Sequence, residues 1–246
     1  MIIDCISDLH GHYPKLEGGD LLVVAGDLTA CDYREEHEDF REWIAEQNYK
    51  CKIFIAGNHD NYLRESWPYP SGVNFRTGTY LCDSGTEFEY ELPSSTEWGS
   101  REGPLGTVPY EKKKLKIWGS PWTLRFEGMN PHCMAFTVET EEELAEKWAL
   151  IPDDVDILVT HGPAWGNNDT NVYGERCGSK SLCRWVANHA FTLKLHVHGH
   201  IHEGYGVWDL RKLQDGFGEQ RTPMFINASH INASYEPVNK PIRIEL

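Results

Sequence analysis

The sequence predicts an α/β fold in which a second, more antiparallel sheet packs on the first, and three observations carry that expectation. Five short apolar runs each end in a polar loop, helical patterns lie between them, and two further stretches turn to strand-like pieces broken by Gly, Pro and Ser.

Taken in order, "MIIDCIS" (1–7), "DLLVVAG" (20–26), "KIFIAG" (52–57), "VDILVT" (155–160) and "LKLHVH" (193–198) are short and nearly continuous in apolar residues, which predicts buried strands. "REEHEDFREWIAEQ" (34–47), "ETEEELAEKWAL" (139–150) and "KSLCRWVANHA" (180–190) predict helices. In the second of these, Thr140 and Glu143 have the spacing of a capping box. From 77 to 122 the pieces "TGTYLCDSG", "FEYEL" and "LKIWGS", and in the tail "GYGVWDL", "PMFINAS" and "PIRIEL", predict the second sheet. No internal repeat, low-complexity tract or linker divides the chain, so one domain over 1–246 is expected.

Composition narrows the function. Asp and Glu outnumber Lys and Arg by 38 to 23, for a formal charge of −15, and the only basic run is "EKKKLK" at 111–116. A protein that tracks a phosphate backbone needs a basic face, so no extended nucleic-acid partner is expected. The N-terminus has no basic segment leading into a long apolar run, and no stretch approaches the roughly 20 apolar residues of a membrane span, so neither a signal peptide nor a membrane partner is expected. Seven cysteines without C-x-x-C spacing read as reduced thiols, which points to a cytoplasmic protein.

The chemistry gathers where the five strands end: "SDLHGH" (7–12), "GDLT" (26–29), "GNHDN" (57–61), "THGP" (160–163) and "HGHIHEG" (198–204). In an open α/β sheet the carboxyl ends of the strands share one edge, so these loops are expected to converge. Imidazole and carboxylate groups gathered there suit divalent transition metals, and more than four donors predict two ions. None of these motifs says much alone; all five in order do. His196 and His198 alternate along a strand and read as packed or hydrogen-bonded groups behind the donors. His12 belongs either to the pocket edge or to solvent, and His37, His132 and His189 to surface or core.

The order D-x-H, GD, GNH[DE], H, GHxH resembles the calcineurin-like metallophosphoesterases over nearly the whole chain. "GSPW" (119–122), "THGP", "GHIHEGYG" (199–206) and "FINAS" (225–229) are similar to a subgroup of metallophosphoesterase-domain-containing proteins, itself similar to class III cyclic nucleotide phosphodiesterases. The Ser/Thr protein phosphatase branch carries GDxxDRG and RGNHE; "GDLTACD" and "AGNHDN" depart from it. The resemblance implies an αββα sandwich of two packed mixed sheets flanked by helices. It further implies that Asp8, His10, Asp27 and His202 hold one metal and Asp27, Asn58, His161 and His200 the other, with Asp27 bridging. His59 would be the non-ligand histidine that stabilises the transition state and protonates the leaving oxygen, and Asn58 would also touch substrate. Two divalent ions, Mn, Fe, Zn, Co, Ni or Mg with Mn favoured, would bring four positive charges against two from Asp8 and Asp27, which suits an anionic substrate. "NASHIN" departs from the pattern at His230, where a smaller polar residue is expected.

The implied reaction is hydrolysis of a small phosphodiester or nucleotide, with cyclic nucleotides as the favoured class and a water shared by the two ions as nucleophile. Trp67, Tyr69, Phe75, Tyr80, Trp118, Trp122 and Phe126 offer aromatic surface to stack a base, with Trp122, just past a Gly-Ser-Pro bend, as the expected pocket wall. Two other classes remain: a nuclease, against which the acidic balance speaks, and a non-catalytic metal-binding interaction module, against which the complete donor set speaks. Oligomeric state is left open.

Overall fold

A computed structural model describes residues 1–65, 78–93, 110–126, 128–212 and 223–246. In chain order its strands are β1 (Ile2–Ile6), β2 (Gly19–Ala25), β3 (Tyr49–Ile55), β4 (Thr79–Tyr80), β5 (Ser84–Pro93), β6 (Tyr110–Ser120), β7 (Thr123–Leu124), β8 (Thr137–Val138), β9 (Ile157–Thr160), β10 (Leu195–His198), β11 (Gly206–Asp209), β12 (Met224–Asn227) and β13 (Ile242–Glu245). The helices are α1 (Arg34–Glu46), α2 (Asn61–Glu65), α3 (Glu141–Trp148) and α4 (Lys180–Asn188).

Two mixed sheets carry the fold, in the orders β13-β1-β2-β3-β4 and β11-β12-β10-β9-β6-β5. The period-two alternation of side chains decides what each face meets. Leu21, Val23 and Ala25 share a face with Ile3, Cys5, Ile53 and Ile55 and meet Leu115, Ile117, Ile157, Val159, Leu195, Val197 and Ile226 of the other sheet. The opposite faces take helices: Leu22, Val24 and Phe54 pack on Phe40, Trp43 and Ile44 of α1, and Leu158 and Phe225 pack on Leu144 and Trp148 of α3 and Leu182 and Val186 of α4. Each fully buried aliphatic side chain contributes roughly 1.5–3 kcal/mol. The result is the expected sandwich of two mixed sheets between helices.

The strand grouping differs from the sequence reading in several respects. The five loop-bearing strands were expected in one sheet, but β1, β2 and β3 lie in one and β9 and β10 in the other. A continuous apolar run shows that a strand is covered on both faces and leaves its neighbours unspecified. The second sheet is also less antiparallel than expected: β6, β9, β10 and β12 run parallel, and only the edge strands β5 and β11 oppose them. Two of the pieces read into that sheet lie in the first one instead: Thr79–Tyr80 of "TGTYLCDSG" pairs as β4 with β3, and "PIRIEL" pairs as β13 with β1, where Arg243 stands opposite Asp4 and donates to both of its carboxylate oxygens at 2.8 Å. The loops still converge, because both sheets turn the carboxyl ends of their parallel strands to one edge, stitched by the Ser7–Ser229 bridge.

The basic run on β6 faces carboxylates. Lys114 Nζ lies 2.8 Å from Glu87 and 3.2 Å from Glu89 across the β5–β6 pair, and Lys116 pairs with Asp154. The capping box appears as read: the Glu143 N–H donates to Thr140 Oγ1 at 3.2 Å, and the Thr140 N–H to Glu143 Oε2 at 3.0 Å. Thr140→Ala is expected to cost about 1 kcal/mol and to lower Tm by roughly 2–4 °C, measured by calorimetry. An unchanged Tm would mean that the first turn of α3 does not depend on this cap. Among the described residues no helix is long and apolar enough to cross a membrane.

Candidate metal centre

Backbone bonds zip the loops after β1 and β2 together: Asp8 N–H donates to Gly26 O at 3.0 Å, His10 N–H to Asp27 O at 3.1 Å and Gly11 N–H to Leu28 O at 3.4 Å. Asp8, His10, Asp27 and His200 sit at φ of 51°, 42°, 49° and 65°. Such a conformation costs a non-glycine residue about 1–3 kcal/mol and persists only where the surroundings over-determine it. The backbone also closes on both carboxylates, since a Cβ at Gly199 would overlap Asp8 and one at Gly57 would overlap Asp27.

The side chains meet around those two carboxylates. Asp27 Oδ2 lies 3.4 Å from His161 Nε2 and 3.5 Å from His10 Nε2, and Asp8 Oδ1 lies 3.4 Å from His202 Nε2. His161 Nε2 is 2.9 Å from Asn58 Oδ1, and the His200 ring stands 4.9 Å from the His161 ring. Among the described residues three groups have donor atoms within 4.8 Å of one another: Asp8, His10 and His202; Asp8, Asp27 and His161; His10, Asp27 and His59. The third includes the histidine that the family pattern leaves off the metals.

His161 tests whether a metal suits this place. Its Nδ1 donates to Ala25 O at 3.0 Å, so a neutral ring has no proton on Nε2. Asn58 Nδ2 donates to Cys133 O at 3.1 Å, which turns the amide oxygen toward His161. Two acceptors facing each other at 2.9 Å, with Asp27 Oδ2 on a third side, require a positive centre, either a proton or a metal ion. Burial pulls His161 down, but the Asp27 carboxylate leads the groups that raise it to about 9. Burial draws His10 down to about 4, and neither of its ring nitrogens makes a hydrogen bond to a described residue; burial and His161 draw His200 down to about 3. Burial pushes Asp27 up, and His161, His59 and His10 together outweigh it and hold the carboxyl well below its usual range. His10 and His200 are held neutral, and an ion would take the place of the proton on His161 and on His202, whose ring the Asp8 carboxylate raises against burial; with two ionised carboxylates and an amide oxygen, these imidazoles form a donor set that fits divalent first-row ions.

Supporting groups appear that the sequence reading passed over. Asp60 is fully buried and accepts from the N–H of Gly57 (2.7 Å), Leu28 (3.2 Å) and Thr29 (3.1 Å), clamping the "GDLT" and "GNHDN" loops to each other. Burial, and then Asp27, push its carboxyl up to about 6. Ser229 Oγ lies 2.7 Å from Asp8 Oδ2, and the His200 N–H donates to both Asp8 oxygens at 3.0 and 3.1 Å. Adjacency to His59 was a usable signal for Asp60, and "FINAS" for Ser229.

His59 Nδ1 donates to Ala30 O at 2.9 Å, with Cys133 Sγ 3.5 Å away, and its backbone N–H donates to Asp27 Oδ1 at 2.9 Å. A cavity of about 820 Å³ opens on Asp27, Asn58, His59, His200 and His202, with Phe126, Trp165, Val172, Tyr173 and Tyr235 also lining it. Trp122 is not brought to this cavity. Its indole N–H donates to Asp83 Oδ2 at 2.8 Å, its ring meets Phe136 edge-on, and Lys147 Nζ lies 3.9 Å from its ring centre. Trp67, Tyr69 and Phe75 lie outside the described residues.

The remaining histidines divide by environment. His12 is exposed. His196 is buried, with Nε2 2.8 Å from Thr160 Oγ1; His198 is buried with neither ring nitrogen bonded to a described residue, and burial holds it down at about 4. His230 is buried and its Nδ1 donates to Asn239 O at 2.7 Å. His37 pairs with Asp32, His189 stacks on Trp185, and His132 is exposed.

The chain is similar to known proteins in family and in fold. A family model described as calcineurin-like phosphoesterase matches residues 1–204. The human and mouse proteins called metallophosphoesterase domain-containing protein 1 are each 33% identical to this chain, over 98% of it and 70% of their own length. A Caenorhabditis elegans protein named UPF0046 is 30% identical over 98% of this chain and 59% of its own length. A crystal structure of the Thermus thermophilus protein TT1561 matches with a TM-score of 0.54 at 14% identity, covering 92% of this chain and 88% of that one, a likeness of fold.

Proposed function

This chain belongs to the calcineurin-like phosphoesterase family, whose members hydrolyse phosphoesters with a dinuclear metal centre, and from that premise we propose that it cleaves small phosphodiesters, cyclic nucleotides foremost. The observation that carries the reading is the position of Asp27: a single oxygen, Oδ2, faces His161 at 3.4 Å and His10 at 3.5 Å. In this reading Asp8, His10, Asp27 and His202 hold one ion and Asp27, Asn58, His161 and His200 the other. Two divalent ions, with manganese favoured, would neutralise phosphate oxygens and make a water nucleophilic near neutral pH.

The chain's own groups do the rest. Ser229 and the His200 N–H aim Asp8, the His161 Nδ1–H on Ala25 O fixes which ring nitrogen faces Asp27, and the Asn58 amide is turned by Cys133 O. With Nδ1 anchored on Ala30 O, His59 has Nε2 left to pass a proton to the leaving oxygen when the ring is protonated. Asp27 Oδ1 holds the His59 backbone, so the acid and the proposed bridging group move as one unit.

The preference for diesters rests on the subgroup likeness and on "GDLTACD", which lacks the arginine of the protein phosphatase motif. With Mn, Fe, Co, Ni, Zn and Mg tested in turn, bis-p-nitrophenyl phosphate is expected to show a kcat/KM about tenfold or more above that of p-nitrophenyl phosphate. A clear preference for the monoester under the best metal would overturn it. Including a single-stranded oligonucleotide and a cyclic nucleotide among the substrates separates small-molecule hydrolysis from nuclease activity.

A further inference from the structure

Five large apolar side chains that stay exposed, Phe126, Trp165, Val172, Tyr173 and Tyr235, line the cavity that opens on the candidate metal ligands. Apolar groups scattered singly over a surface need no explanation; a set gathered in one concave site does. Two of the five stand against the donor imidazoles. The Phe126 ring is 6.4 Å from His200, and the Tyr235 ring is 5.2 Å from His10 and 5.3 Å from His202, at 77° and 89° to them. One aromatic ring thus flanks a histidine of each proposed ion.

Tyr235 is held where it stands. It has φ of 61°, and its N–H donates to Asn232 O at 2.9 Å. The Asn232 side-chain carbonyl accepts from the N–H of Ser234 at 2.9 Å and of Glu236 at 3.0 Å. Asn239 closes the loop, donating from Nδ2 to Ser229 O at 2.9 Å and Ile231 O at 3.2 Å, while His230 Nδ1 donates to Asn239 O at 2.7 Å. Ser229 also aims Asp8, so the loop that presents Tyr235 begins at a residue bonded to a candidate ligand. His230, the departure from the family pattern, acts here as the tie between the two ends of that loop.

We propose that Tyr235 and Phe126 form an aromatic subsite beside the phosphate position, which grips a flat ring attached to phosphorus directly or through its ester oxygen, with Tyr235 as the specificity-determining wall. The proposal rests on the phosphoesterase part of the reading above and not on its cyclic-nucleotide part, because a cyclic nucleotide carries its flat base on the ribose and not on the ester oxygen. It assigns the subsite to the substituent of the phosphate and gives the ring of Tyr235, rather than its hydroxyl, the recognising role. Trp165 and Tyr173 line the same cavity and would meet whatever extends beyond that ring.

Phenylphosphonate and methylphosphonate test this without turnover, because neither has an ester to cleave and they differ by a ring against a methyl. Titration calorimetry of the full chain with Mn²⁺ present is expected to show phenylphosphonate binding about tenfold more tightly, the scale of one ring stacking on an aromatic side chain. Tyr235→Ala should bring that ratio below about twofold, and Tyr235→Phe should preserve it. A ratio undiminished in the alanine variant, or lost in the phenylalanine variant, overturns the role of the ring. Equal binding of both phosphonates by the wild type removes the subsite and spares the phosphoesterase reading, whereas binding of neither removes both.

Discussion

Replacing Asp27 by alanine is expected to reduce the metal bound per chain and to lower kcat/KM for bis-p-nitrophenyl phosphate by on the order of 10³ or more. Asp8 is also buried and charged, but Asp27 Oδ2 lies 3.4 Å from His161 Nε2 and 3.5 Å from His10 Nε2, and Oδ1 holds the His59 backbone at 2.9 Å. One truncation therefore removes a proposed ligand of two ions, the negative charge between them and the anchor of the proposed acid. Asp27→Asn separates these contributions: it keeps an oxygen to accept from the His59 N–H and nearly the same shape, and it removes the charge. The asparagine variant should keep the wild-type near-ultraviolet circular dichroism while binding fewer ions than wild type after reconstitution, measured by elemental analysis. Two ions per chain and near-normal turnover in Asp27→Ala would make the bridging role wrong.

The candidate donors were legible because each followed an apolar run long enough to be a strand, and the end of a buried strand is a fixed place in any sheet. Their meeting survived an error in the sheet itself, since β9 and β10 joined the second sheet and still pointed His161 and His200 to the same edge as Asp27. What pattern does not encode is which loop covers that edge. Trp122 follows a bend and reads as a wall, yet the Asp83 carboxylate and the Lys147 ammonium hold its ring away from the cavity. Tyr235 sits in a polar tail segment with no periodicity, and only the Asn232 and Asn239 hydrogen bonds bring it against His10 and His202. Asp60 shows a different limit. A carboxylate after His59 could be an acid, a ligand or a clamp, and only its three backbone donors decide for the clamp.

His59→Ala is expected to slow hydrolysis of a cyclic nucleotide by roughly 10²–10⁴-fold, and of bis-p-nitrophenyl phosphate by much less. The two substrates differ in how badly the departing oxygen needs a proton. A p-nitrophenolate, whose conjugate acid has a pKa of about 7, leaves largely unaided, whereas a ribose alkoxide does not. The geometry makes the test clean, because His59 is fixed by Ala30 O on one nitrogen and by Asp27 on its backbone N–H, and only the first of these bonds is lost with the side chain. The loop should therefore stay in place. Equal losses on both substrates would instead assign His59 to charge stabilisation or phosphate positioning. Metal content decides the remaining point, since His59 shares a donor group with His10 and Asp27. If the alanine variant binds both ions as wild type does, the ring acts on substrate; if one ion is lost, His59 is a ligand and the proton must come from elsewhere.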